Sequence, residues 1–78
     1  MSTMVTAFVF ITTRTGKEKD VLHKILRENT VKEATTVYGD YDIVAKIEAE
    51  TVDKLNEFII KHLRGLQDVS STNTLIGL

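Results

Sequence analysis

Cysteine, proline and tryptophan are all absent from this 78-residue chain, and glycine occupies only four positions. Without thiols there is no disulfide, no thiol nucleophile and no cysteine-based zinc site, and the composition fits a reducing compartment such as the cytoplasm. His23 and His62 are the only imidazoles, so neither a structural metal nor any other cofactor is expected. No apolar run approaches the roughly 20 residues of a membrane span. The start Met1-Ser2-Thr3-Met4 lacks the charged region and cleavage site of a signal peptide. Ten basic residues stand against eleven acidic ones for a net charge of −1, with the signs interleaved. No basic stripe exists to neutralise phosphates, so direct nucleic-acid binding by this chain alone is not expected.

The absence of proline, of low-complexity tracts and of linker composition argues for one continuous domain over residues 1–78. A chain this short buries only about 60% of the surface its unfolded form exposes. Small scaffolds compensate with disulfides, a metal or oligomerisation; with the first two unsupported, self-association is the expected staple.

What the chain does contain is clear periodicity. Val5 to Thr12 is β-rich and apolar at nearly every position, with Val5, Ala7, Val9 and Ile11 on one side and Thr6, Phe8, Phe10 and Thr12 on the other. Thr15-Gly16-Lys17-Glu18 matches a capping box and predicts a helix to about Asn29, with Val21, Leu22, Ile25 and Leu26 as its buried stripe. Val31 to Tyr38 and Asp42 to Glu48 alternate as two strands of a hairpin, with Ile43, Ala45 and Ile47 sharing a side. Thr51 predicts the cap of a second helix that buries Val52, Leu55, Phe58, Ile59, Leu63 and Leu66 and stops near Gly65. Val69 to Leu78 closes the chain as a fourth strand. The order β-α-β-β-α-β is that of the ferredoxin-like α+β fold, a four-stranded antiparallel sheet with two helices on one face. Two helices cover one face only, so one apolar side of the first strand is left in water unless a second copy covers it. A dimer through the sheets follows.

Polar residues concentrate at Gly39-Asp40-Tyr41-Asp42. A Gly-Asp pair between strands is an ordinary hairpin signal, yet this turn also places two carboxylates and a phenol together. Asp42 opens an apolar strand, where its carboxylate could cap the local backbone or pair with an ammonium. Spacing alone leaves both readings open. Tyr38 and Tyr41 flank the turn and are expected to pack across the strands. His23 and His62 read as helix-surface residues, the charges from Lys17 to Arg27 as a solvated face, and no nucleophile and base are placed together.

Taken as a set, Ala7-Phe8-Val9-Phe10-Ile11, Thr15-Gly16-Lys17-Glu18, Val37-Tyr38-Gly39-Asp40-Tyr41-Asp42 and Thr72-Asn73-Thr74-Leu75-Ile76 resemble the effector-binding (RAM) domain of Lrp/AsnC transcriptional regulators, over roughly Val5 to Leu78. The resemblance implies dimers paired through their sheets, further assembly into rings such as octamers, and an amino-acid effector bound between dimers. It places effector contacts on Gly39, Tyr41 and Asp42 in the Gly-x-x-Asp turn and on Thr72 and Thr74 in the last strand, with Asp40 adjacent. Asp42 would accept from the α-ammonium, while turn N–H groups and threonine hydroxyls would serve the α-carboxylate. The full regulators carry an N-terminal helix-turn-helix, whereas Met1 here precedes the first strand by a few residues. The expectation is a stand-alone effector module, with three roles left open: sensing amino acids freely, joining a full-length regulator in mixed assemblies, or modulating another protein and so transcription indirectly. Two alternatives stay open: a small dimeric α+β barrel enzyme, and an interaction module that has lost its effector.

Overall fold

The two-sided first strand resolves in favour of its aliphatic set. In the computed structural model, which describes residues 3–77, β1 (Val5–Thr13) buries Ala7, Val9 and Ile11 completely and leaves Phe8 40% exposed. It lies at the centre of an antiparallel sheet with β2 (Val31–Thr36), β3 (Ile43–Ala49) and β4 (Val69–Ile76), in the order β2-β3-β1-β4. Two helices, α1 (Glu18–Leu26) and α2 (Val52–Phe58), separate the strands as expected. The ferredoxin-like α+β architecture is therefore the observed one.

The core is a single layer between sheet and helices. Val9, Ile11, Ile43, Ala45 and Ile47 from the sheet meet Val21 and Ile25 of α1 and Leu55, Phe58, Ile59 and Leu63 of the second helical segment. Fully burying such side chains contributes about 1.5–3 kcal/mol each. Both helices thus occupy one face, and the face carrying Phe8 and Phe10 is open.

Several boundaries differ from the sequence expectation, each for a local reason. Thr15 does not cap α1. Lys17 is the N-cap and makes no side-chain capping bond, because Lys17 N–H donates to Arg14 C=O (3.0 Å) and closes a turn whose third residue, Gly16, has φ +82. The Thr-Gly pair serves that turn and leaves the hydroxyl two residues short of the helix. α1 ends at Leu26 with Arg27 as its C-cap, not near Asn29, and Leu26 is 47% exposed rather than buried.

At α2 the Thr51 cap is present, its hydroxyl accepting from Lys54 N–H at 3.1 Å. Val52, expected in the buried stripe, is instead exposed in the first turn. The helix widens into a π-helical turn over Ile59–Leu63, marked by the bond from Arg64 N–H to Ile59 C=O at 2.8 Å, and stops one residue before Gly65. Leu66 is only partly buried against the core.

The hairpin loop is wider than a Gly-Asp tight turn. β2 ends at Thr36 and β3 begins at Ile43, and a bond from Val37 N–H to Asp42 C=O (2.9 Å) closes a loop over residues 38–41. In β4, Gly77 N–H continues the ladder to Thr6 C=O at 2.7 Å. Leu78, assigned to this strand from the sequence, and the Met1-Ser2 start lie outside the described residues.

Candidate functional site

Antiparallel register decides which candidate side chains share a face, because directly opposed residues point the same way. Thr72 lies opposite Ile11 and Thr74 opposite Val9, so both threonines take the helix side, half-buried. Asn73 lies opposite Phe10 and Leu75 opposite Phe8, on the open face.

The loop is tied to the sheet at two points. Tyr41 packs its ring against Phe10, centroids 5.2 Å apart and tilted by 40°, and Asn73 Nδ2 donates to Tyr41 Oη at 3.0 Å. Loop and last strand therefore meet, but through Asn73 rather than through Thr72 or Thr74. Asp42 forms the second tie. Its N–H donates to Ile11 C=O at 2.9 Å, and its Oδ2 accepts from Thr13 N–H at 2.7 Å and from Thr13 Oγ1 at 3.3 Å. The second carboxylate oxygen, Oδ1, has no hydrogen-bond partner among the described residues.

The remaining loop residues have separable roles. Gly39 adopts φ +123, and a Cβ there would meet nothing within 4 Å. Its requirement is conformational, since L side chains avoid that region, and not a close approach of atoms. Asp40 is exposed and its carboxylate has no hydrogen-bond partner among the described residues. Tyr38, expected to pack across the strands, stands fully in solvent; only Tyr41 does so.

Asp42 also lines a cleft of about 360 Å³ with Glu18, Lys19, Thr36, Val37 and Tyr38. The N-terminal turn of α1 supplies one wall, the end of β2 and the loop the other. Two carboxylates, one ammonium and two hydroxyls face a space large enough for an amino acid. Thr72 and Thr74 are not part of it. Asp42 and Thr72 both adjoin Ile11 from opposite neighbouring strands, which separates them by about two strand spacings, roughly 10 Å. Of the six residues singled out from the sequence, Asp42 alone lines this cleft, while Tyr41 turns to Phe10 and Asn73.

Other chemistry finds little support in the arrangement. His23 and His62 are exposed; His62 stacks on Phe58 (5.2 Å) and its Nδ1 lies 3.5 Å from Glu28 Oε1, a contact with the turn that follows α1. Among the described residues no three metal-ligating side chains cluster. Asn73 and Thr13 were not apparent as site residues from the sequence. Asn73 could have been found by combining β4 alternation with the Phe10 face. Thr13 had no such signal, since its contact spans 29 residues.

Comparison with known proteins assigns the family and the fold. Residues 6–78 match the family described as Lrp/AsnC ligand binding domain. The HTH-type transcriptional regulator FL11 of Pyrococcus furiosus is 31% identical over 95% of the chain. The chain spans 48% of that regulator's length. Homocitrate synthase of Sulfurisphaera tokodaii shares 46% identity over 62% of the chain, a segment amounting to 10% of the enzyme. Among solved structures, the hypothetical protein PHS023 from Pyrococcus horikoshii superposes with a TM-score of 0.90 at 40% identity, covering 95% of this chain and 89% of that one.

Proposed function

The chain belongs to the Lrp/AsnC ligand binding domain family, and from that premise we propose that it is an amino-acid effector module that self-associates through its open sheet face. The observation that carries the reading is the Asp42 carboxylate. One oxygen is committed to Thr13 and the other is available at the wall of a cleft of amino-acid size. A free carboxylate oxygen matches an α-ammonium by a charge-assisted hydrogen bond. Lys19 on the opposing wall supplies the charge an α-carboxylate requires.

Thr72 and Thr74 enter this reading as a second protomer's contribution. Within one chain Thr72 stands about 10 Å from Asp42 and Thr74 two residues further along β4, and neither lines the cleft that Asp42 lines. They can reach the same ligand when an assembly brings the last strand of one copy against the turn of another. Occupancy of such a shared site favours whichever assembly completes it, by the differential affinity of the ligand for the two states. The module would act on transcription through the assemblies it joins, with a full-length Lrp/AsnC regulator as the natural partner.

The test is a thermal-shift screen of the twenty amino acids at up to millimolar concentration, with molecular mass by light scattering on each hit. At least one amino acid should raise the melting temperature and alter the mass, and Asp42→Asn should abolish both effects. A chain that assembles but responds to none of the twenty would leave only the interaction role. The family match and the regulator relative weigh against the enzyme alternative. The match to homocitrate synthase covers a tenth of that protein.

A further inference from the structure

Resting on the effector reading, we infer that Thr13 is a positioning residue of the amino-acid site, holding the Asp42 carboxylate so that a single oxygen faces the ligand's ammonium. Among the described residues Thr13 is the one buried polar side chain, 7% exposed. It ends β1, two residues beyond Ile11, whose pairing with Ile43 is the last that β1 and β3 share in register. On its other side a register shift between Thr12 and Thr13 brings it opposite Val69. The ladder to β3 therefore offers the Thr13 N–H no backbone carbonyl. Asp42 Oδ2 takes that place at 2.7 Å and receives the Thr13 hydroxyl as well at 3.3 Å.

Two donors on one oxygen have a consequence for recognition. The Asp42 backbone is already pinned by its bonds to Ile11 C=O and from Val37 N–H, both 2.9 Å, so little freedom remains except rotation of the carboxylate plane. The N–H and the hydroxyl converge on one carboxylate oxygen, Oδ2, and leave the other, Oδ1, with no hydrogen-bond partner among the described residues. No buried side-chain oxygen or nitrogen among the described residues lacks a partner, so Oδ1 is reached by solvent. One outward oxygen suits one ammonium N–H. It does not suit a guanidinium, whose forked donors need both oxygens of a carboxylate. Thr13 has no need to touch the effector: it orients the group that does.

The experiment measures affinity by calorimetry, using the amino acid that gives the largest thermal shift with the wild-type chain, for wild type, Thr13→Val and Thr13→Ser. Each variant's melting temperature is recorded alongside. Loss of one oriented hydrogen bond should weaken binding about two- to tenfold in Thr13→Val, at a temperature where the variant is fully folded, and Thr13→Ser should restore it to within about twofold. A Thr13→Val chain that melts lower but binds as wild type would show a purely structural threonine and overturn the inference. So would Thr13→Ser binding as weakly as Thr13→Val. Should Thr13→Val not fold, the wild-type Thr13 amide resonance decides: it should move on ligand addition, and an unmoved resonance under saturation defeats the inference. A wild-type chain silent to all twenty amino acids removes the effector reading itself, and the positioning role with it, before any variant is made.

Discussion

Both faces of β1 carry large apolar side chains, and they meet opposite fates. On one, Ala7, Val9 and Ile11 are fully buried beneath the helices; on the other, Phe8 is 40% exposed and its neighbour Leu75 56%. Phenylalanine has more apolar surface than alanine, so intrinsic hydrophobicity does not explain the difference. What covers each face does. Two helices complete the aliphatic side within the chain, while the aromatic side carries the Tyr41–Phe10 contact and the Asn73–Tyr41 bond and no helix among the described residues. The proposed self-association rests on this uncovered apolar sheet face.

The sharpest way to break the comparison is to cut equally into both faces. On the closed side, Ile11→Ala should cost about 2–5 kcal/mol, against a total stability of roughly 4–12 kcal/mol for a chain of this length at 0.05–0.15 kcal/mol per residue. Denaturant unfolding should show a folded population sharply reduced or lost. A loss below about 1 kcal/mol would mean that the site collapses freely and is not close-packed.

On the open side, Phe8→Asp should spare the fold and abolish self-association. Light scattering should give the mass of one chain, with a far-UV circular dichroism spectrum like that of wild type. A wild-type chain that already runs as a monomer would refute the shared-face proposal, and a Phe8→Asp chain that unfolds would show that the two faces are not independent. The smallest effect is expected at the polar anchor. Tyr41→Phe keeps the ring on Phe10 and removes only the acceptor for Asn73, an exposed bond whose loss should cost about 0.5–1 kcal/mol. Equilibrium unfolding of the two chains side by side reads this directly; a change beyond about 2 kcal/mol would assign the phenol a larger structural role.

Much of the fold was readable from period alone, and the failures cluster at element ends. Alternation identified Ile43, Ala45 and Ile47 as one buried set, and the Thr51 cap was visible from its own residues. The Thr15 cap was misread because Thr-Gly also suits a turn, and the turn's bond from Lys17 N–H to Arg14 C=O formed instead. Val52 and Leu26 sit at helix ends, where the apolar stripe runs past the sheet that would cover it. The candidate site was readable as a composition but not as a geometry. Asp42 was apparent as a residue at the head of an apolar strand; its bond to Thr13, 29 residues away, follows from no local rule.

The amino-acid sequence by itself determined the order of elements, the apolar sets available to the core and the chemistry of the turn. Those are set by side-chain periodicity, by the conformational freedom of Gly39 and by residue type, all of which act within a few positions. Tertiary structure alone decided which face of β1 is covered, that Thr72 and Thr74 point away from the Tyr41–Asn73 contact, and that one Asp42 oxygen is held while the other is left available. These depend on register between strands far apart in the chain. A shift of one residue in that register reverses every side chain's face, and only the packed sheet selects among the possible pairings.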